Sequence, residues 1–387
     1  MISRIAANTL IELARGYPIL VLTGPRQSGK STLAKSAFAA KPYVSLENPD
    51  TRRYAAADPV GFLDRFPDGA VLDEAQRAPE LFSYLQTRVD EDGRMGLFVL
   101  TGSQQLGLLS RVTQSLSGRA ALVPLLPFSF SELAAGGKAP ADLESLLFTG
   151  SYPPIYDRAL SPEIWHANYA ASYLERDVRQ ILNVRDLDAF DTFLRMCAAR
   201  TGQMLNLSAL AADCGVTHNT AKAWLSVLQA AYVIHLLRPH HRNFGKRLVK
   251  TPKLYFIDCG LAAHLMGIQN PAQLAAHPQR GALFETWAVG ELLKSRFNAG
   301  KTSNLYYWRS RAGAEVDSLI ERGDALVPVE FKSGRTLNND FFIGLERWRL
   351  LAGGEASPAY LVYGGEECGE RSGCVFLSWR AIGELTV

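Results

Sequence analysis

Residues Pro18 to Ser31 constrain this chain more than any other stretch. Pro18-Ile19-Leu20-Val21-Leu22-Thr23 is a short apolar run of strand formers. Gly24-Pro25-Arg26-Gln27-Ser28-Gly29-Lys30-Ser31 follows at once, and Thr32 to Phe38 continues at helical spacing. A strand, then G-x-x-x-x-G-K-S, then a helix is the order that a phosphate-cradling loop demands. Its two glycines let the backbone curl until the N–H groups converge, and the helix N-terminus adds partial positive charge. Lys30 is spaced to reach β- and γ-phosphates, and the Ser31 hydroxyl to bind Mg²⁺. Gly24, Pro25, Arg26, Gln27, Ser28, Gly29, Lys30, Ser31 and Thr32 are therefore candidate contacts to a nucleoside triphosphate. ATP and Mg²⁺ are the expected cofactors.

A carboxylate partner follows downstream. Gly69-Ala70-Val71-Leu72-Asp73-Glu74 reads as a short apolar strand ending in two acids. Phosphoryl transfer needs a carboxylate for the Mg²⁺ hydration shell and a group that orients or deprotonates water. Asp73 suits the first role, as a metal ligand beside Ser31, and Glu74 the second. Leu97 to Thr101 is another strand, running into Gly102-Ser103-Gln104. Ser103 thus falls at the carboxyl end of a strand, where open α/β sheets bind ligands. It reads equally as a contact to γ-phosphate or water and as a polar turn residue. Ser117-Gly118-Arg119 precede a strand through Val123. Arg119 or Arg111 would serve as an arginine finger toward a neighbouring subunit's nucleotide, or either is a solvated surface charge. With Tyr43 to Leu46, five alternating strand and helix signals predict a parallel, doubly wound sheet.

Composition bounds the rest. A chain of 387 residues exceeds one ordinary domain, and 47% hydrophobic with 20% charged residues supplies several apolar cores. The net charge of +3 is too small for a global field, so any nucleic-acid surface must be local. Cys197, Cys214, Cys259, Cys368 and Cys374 form no C-x-x-C pair, which argues against a disulfide framework or zinc site. They fit a reducing compartment. No apolar run approaches the roughly 20 residues of a membrane span, and the N-terminus lacks a signal peptide's apolar core. A cytoplasmic location with no membrane partner is expected.

From Phe130 to Asp188 strand character gives way to helices broken at Gly150-Ser151-Tyr152-Pro153-Pro154. Tyr173-Leu174-Glu175-Arg176-Asp177-Val178 packs three charges between apolar neighbours, facing either solvent or a nucleotide or partner subunit. Asn206 then opens a helix, Cys214-Gly215-Val216 supplies a tight turn, and Thr217 caps a second helix over His218 to Ala231. That is the helix-turn-helix pattern. Trp224, Leu225, Val227 and Leu228 would pack inward. His218, Asn219 and Lys222 would stand at the front of the second helix, where groove-reading side chains sit. Val233 to Leu237 and Lys253 to Ile257 read as strands of a wing. Arg238, Arg242, Lys246, Arg247, Lys250 and Lys253, with His240 and His241, lie around them. Such concentrated charge is the footprint of phosphate-backbone contact, with Arg242, Lys246, Arg247 and Lys250 as DNA-binding candidates. A winged helix used for protein contact is the alternative.

The last third changes pattern again. Gly281 to Val289 begins an amphipathic helix that carries Glu285, and Leu305 to Arg309 is a strand. Glu315-Val316-Asp317-Ser318-Leu319-Ile320 begins the next strand, and Leu326 to Lys332 the one after. Alternation puts Glu330 and Lys332 on one strand face. A helix carboxylate, Asp317 and Glu-x-Lys are what metal-dependent phosphodiester cleavage uses. The acids Glu285, Asp317 and Glu330 would hold metal, and Lys332 would orient water. A scaffold retained for binding is the other reading.

Taken together, the chain resembles AAA-type P-loop ATPases that carry a C-terminal restriction-endonuclease-like, or PD-(D/E)xK, domain. The resemblance spans nearly the full length. It rests on Leu22 to Ser31, Leu72-Asp73-Glu74-Ala75-Gln76, Leu100-Thr101-Gly102-Ser103, Tyr173 to Val178, Arg242-Asn243-Phe244-Gly245-Lys246-Arg247 and Val329-Glu330-Phe331-Lys332. It implies an α/β fold: a P-loop core over residues 1–130, a helical lid over 131–188, a winged helix-turn-helix over 189–270 and a nuclease-like domain over 271–387. It also implies a homo-oligomer, a hexameric ring being one form, with kin among DNA motors and branch-migration helicases. No second sensor arginine is evident after the sheet, which leaves the subunit-interface arginine unassigned. The resulting expectation is a Mg²⁺-dependent ATPase that binds and remodels or translocates DNA, branched DNA included. The alternatives are an ATP-gated DNA nuclease and a nucleotide-switched signalling or scaffold protein.

Overall fold

The computed structural model describes residues 2–103, 115–174, 186–240, 251–310, 313–352 and 358–385. Its N-terminal part is a five-stranded sheet built from β1 (Ile19–Thr23), β2 (Tyr43–Ser45), β3 (Val71–Asp73), β4 (Phe98–Thr101) and β5 (Ala120–Pro124). All its strand pairs are parallel, in the order β2-β3-β4-β1-β5. The central strand β1 is buried throughout, as a strand covered by helices on both sides must be. Successive side chains alternate between two cores. Ile19 and Val21 join Leu72, Phe82, Phe98 and Leu100 on one face, while Leu20 and Leu22 join Leu10, Leu33, Val71 and Val99 on the other. The predicted parallel α/β sheet is therefore present.

Helices follow: Phe130–Ala135, Leu143–Thr149, Pro153–Asp157 and Pro162–Tyr169, then Leu187–Ala199. Asn206 and Thr217 cap the helices Leu207–Asp213 and His218–Ala230, their side chains accepting from the N–H groups of Ala209 and Thr220. Trp224, Leu225, Val227 and Leu228 are all buried, as their spacing predicts. Next comes a three-stranded antiparallel sheet of β6 (Gln203–Met204), β7 (Ile234–Leu237) and β8 (Lys253–Phe256), with β8 in the middle.

The C-terminal sheet is six-stranded and mixed. It comprises β9 (Leu305–Arg309), β10 (Glu315–Arg322), β11 (Ala325–Lys332), β12 (Ala359–Tyr363), β13 (Gly369–Arg371) and β14 (Cys374–Ser378), in the order β13-β14-β12-β11-β10-β9. The 19-residue helix Arg280–Asn298 is buried along most of its length. Its Leu283, Phe284, Trp287, Val289 and Leu292 share one core with the middle helices and with β11. Each such fully buried side chain contributes about 1.5–3 kcal/mol, so this helix helps join the middle of the chain to the C-terminal sheet. Among the described residues no helix is long and apolar enough to cross a membrane.

Candidate functional site

The loop after β1 takes the conformation its glycines were expected to permit. Gly24 has φ +144° and Gly29 φ +93°. A Cβ on Gly24 would stand 2.2 Å from the Leu125 carbonyl oxygen, so no other residue fits there. Gly29 caps the helix Lys30–Ala37, whose N-terminus opens into a cavity of about 560 Å³. Arg26, Gln27, Gly29, Lys30, Ser31, Thr32, Glu74 and Ser103 line it. Lys30 is buried, and its ammonium donates to the carbonyls of Gly24 (3.0 Å) and Pro25 (2.7 Å). The Ser28 hydroxyl is fully buried with no hydrogen-bond partner. A buried hydroxyl without a partner is costly.

Asp73 ends β3, directly beside the loop. Three hydroxyls converge on its carboxylate: Ser31 (2.7 Å), Tyr43 (2.6 Å) and Thr101. Burial and the Asp73 carboxylate together push the Tyr43 phenol well above its ordinary pKa, which keeps it a donor. Glu74 follows with φ +56° and ψ +45°, a left-handed conformation unusual for glutamate. This turn faces its carboxylate into the cavity, where Gln76 (2.5 Å) and Ser103 (3.3 Å) donate to it. Ser103 therefore touches the acid and lines the same cavity. The residues fit a nucleotide with Mg²⁺: a lysine in the cavity and a serine–aspartate pair at the helix N-terminus.

Arg119 lies elsewhere. It precedes β5, whose Ala120 pairs with Ile19, whereas the loop leaves the sheet at the far end, after Thr23 opposite Pro124. Its guanidinium holds Asp90 at 2.5 Å on the surface. Arg111 falls outside the described residues, as do Glu175, Arg176 and Asp177.

Several residues of this cavity carried no local signal. Arg4 donates to the Ser28 carbonyl (2.7 Å), the Leu126 carbonyl (2.7 Å) and Glu132 (3.1 Å), which fastens the loop to the N-terminal segment. Phe128, Pro153, Pro154, Asp157 and Arg158 also line the cavity. The loop also meets the middle of the chain at two hydrogen bonds, Trp165 Nε1 to Gln27 (3.2 Å) and Tyr232 to Thr23 (2.8 Å). Tyr232 follows the helix His218–Ala230 and has φ +56°.

On that helix His218, Asn219 and Lys222 are exposed, and so is Arg238 after β7. Arg242, Lys246, Arg247 and Lys250 lie outside the described residues. Two members of the basic run turn inward instead. His240 is buried, 3.9 Å from Glu321, and Lys253 is buried among acids. Neither is available to a nucleic acid. The acid partners of these two come from the C-terminal sheet and from the helix Arg280–Asn298.

Those partners include the predicted metal-site acids. The strands β10 and β9 shift register between Val316 and Leu319, and this irregularity holds Asp317, whose carboxylate accepts from the Phe331 N–H (3.0 Å). Lys332 reaches Glu330 (2.5 Å) and Asp317 (3.8 Å). Glu285, on the helix Arg280–Asn298, accepts from Tyr255 (2.5 Å) and Lys253 (2.9 Å). Burial, reinforced by the Asp317 charge, pushes the carboxyl pKa of both Glu285 and Glu330 upward. Glu285, Asp317, Glu330 and Lys332 thus gather in one place. Among the described residues, however, no three His, Cys, Asp or Glu side chains are arranged to hold a metal ion.

A family model described as an AAA domain matches residues 16–134, the stretch that contains the loop, Asp73 and Ser103. Two models described as domains of unknown function, DUF8612 and DUF4143, match residues 140–272 and 280–382. The chain therefore carries an AAA-type P-loop ATPase domain with a nucleotide-binding fold. It belongs to the family of the uncharacterized proteins Rv2008c of Mycobacterium tuberculosis and Mb2031c of Mycobacterium bovis. It is 34% identical to each over 341 residues, covering 86% of this chain and 74% of the relative. Among solved structures it is similar to the Walker-type ATPase PABY2304 of Pyrococcus abyssi, with a TM-score of 0.45 at 17% identity over 67% of this chain and 94% of that one.

Proposed function

We propose that the chain is a Mg²⁺-dependent ATPase that acts on DNA, with hydrolysis carried by Lys30, Ser31, Asp73 and Glu74. The observation that carries the reading is the 2.7 Å hydrogen bond between Ser31 and Asp73, with the Glu74 carboxylate turned into the same cavity. Bound Mg²⁺ would supply charge neutralisation at the phosphates. The loop N–H groups and Lys30 bind the β- and γ-phosphates. Ser31 and Asp73 would hold the metal, and Tyr43 and Thr101 fix the Asp73 carboxylate by donating to it. Glu74 orients the attacking water and accepts its proton, steadied by Ser103 and Gln76. Arg158 lines the same cavity and is a candidate to meet the phosphates. The test is calorimetric titration of ATP with Mg²⁺ into the full chain and into Lys30→Ala. Tight binding that the variant loses supports the site, and equal binding by both rejects it.

The DNA part of the proposal rests on the two capped helices and the strands that follow them, read as a winged helix-turn-helix. His218, Asn219 and Lys222 face solvent at the start of the second helix, and Arg238 leads into the basic segment 241–250. Phosphate contacts release counterions, so DNA affinity must fall steeply with salt. The hydrogen bond from Tyr232 to Thr23 offers a physical route from that helix to the phosphate loop. In this proposal the C-terminal region is a restriction-endonuclease-like scaffold whose role is binding, and the chain works as an oligomer.

A further inference from the structure

Lys253 begins β8 in the three-stranded sheet, yet its ammonium ends inside the C-terminal acid cluster. It stands 2.9 Å from Glu285, 2.5 Å from Glu315 and 3.8 Å from Asp317, and it is only 3% exposed. The carboxylates come from the helix Arg280–Asn298 and from β10, neither of which belongs to the sheet that supplies the lysine. An ammonium leaves water at this depth only where charge and hydrogen bonds replace its hydration. Here the acids satisfy that condition. We infer that Lys253 is the resident cation of this cluster: it fills the position a divalent ion would need among Glu285, Glu315 and Asp317, and so closes the site to metal while it latches the two sheets together.

Space supports this: metal–oxygen distances of about 2.0–2.6 Å would bring the ion into the volume that the ammonium fills.

The lysine is held there by backbone. Tyr307 N–H donates to the Arg238 carbonyl (3.0 Å) and His240 N–H to the Tyr307 carbonyl (2.8 Å), which joins the end of β7 to β9. The Tyr307 hydroxyl donates to the Thr251 carbonyl, two residues before Lys253. Tyr255 shares Glu285 with the lysine. The position of β8 therefore sets whether the acids see an ammonium or solvent.

The test is Mn²⁺ titration of the nucleotide-free full chain, wild type, Lys253→Arg and Lys253→Gln, each with and without Asp317→Asn. Wild type and Lys253→Arg are expected to show no Mn²⁺ binding that depends on Asp317. Lys253→Gln is expected to bind one Mn²⁺ at least roughly tenfold more tightly than wild type, and to lose it with Asp317→Asn. Its thermal midpoint, lowered by the unpaired acids, should rise again with Mn²⁺. Binding by wild type that is Asp317-dependent and equal in Lys253→Gln overturns the inference. So does a Lys253→Gln chain that folds without gaining metal, or one that fails to fold and is not rescued by Mn²⁺ during refolding.

Discussion

Replacing Glu74 by glutamine isolates its chemistry from its structural part. The side chain keeps its length, and an amide oxygen still accepts from Ser103, 3.3 Å away, and from Gln76, 2.5 Å away. Loss of the charge weakens those bonds by about 1 kcal/mol. The left-handed backbone at φ +56° is unaffected, since glutamine and glutamate tolerate it equally. Folding and ATP binding should therefore change little. What glutamine cannot do is accept the proton of the attacking water, a contribution of about 10²–10⁴ in rate, or roughly 3–5 kcal/mol of barrier. Single-turnover hydrolysis of labelled ATP, paired with binding of a fluorescent ATP analogue, separates the two effects. Hydrolysis by Glu74→Gln within tenfold of wild type would refute the assignment of Glu74 as the base. Glu74→Gly adds a second arm. A non-glycine residue in this conformation costs about 1–2 kcal/mol, while glycine gives back roughly 0.5–1 kcal/mol through its freer unfolded chain. The glycine variant should be inactive yet at least as stable as wild type.

Three other outcomes are expected. Lys294 is buried and donates to Glu291 (2.8 Å), to the Phe128 carbonyl (2.9 Å) and to Ser151 (3.1 Å). Lys294→Met strands a buried carboxylate at a cost of about 3–5 kcal/mol, and a lower urea midpoint partly restored by adding Glu291→Gln would demonstrate it. His166 is buried with Nε2–H donated to the Thr149 carbonyl, and burial pushes its pKa down to about 4. Because the unfolded chain binds the proton first, this contribution is complete above about pH 6.5 and is lost toward pH 4, by about 3 kcal/mol at most. Urea midpoints at pH 7 and pH 5 should differ accordingly, and less so in His166→Gln. Finally, Tyr232→Phe leaves the Thr23 hydroxyl unpaired, costing about 1–2 kcal/mol, and it should weaken ATP binding measured by calorimetry. Unchanged affinity would disconnect that hydrogen bond from the nucleotide site.

How far the sequence could be read depended on whether a feature is local. The loop from Gly24 to Ser31, the strand ending at Asp73 and the caps Asn206 and Thr217 each rest on neighbouring residues, and each was legible. So was the inward face of Trp224, Leu225, Val227 and Leu228, because helical spacing alone determines it. Polar partners brought together by tertiary packing were not. Tyr43 looked like one more strand residue, yet its hydroxyl holds Asp73. Arg4 had no motif around it, and its contacts to Ser28 and Leu126 cross three separate parts of the chain. Lys253 misled for the same reason. In a run of basic residues it resembled a DNA contact, and only the fold brings it to Glu285, Glu315 and Asp317.

The most direct measurement is the steady-state ATPase rate of the full chain with Mg²⁺, alone and with duplex, single-stranded and four-way-junction DNA, at two salt concentrations, with Lys30→Ala as the reference. A DNA-coupled ATPase predicts turnover absent from Lys30→Ala, raised by at least one of these DNAs and falling back as salt increases. Turnover no greater than that of Lys30→Ala, or a rate that no DNA alters at either salt concentration, would contradict it.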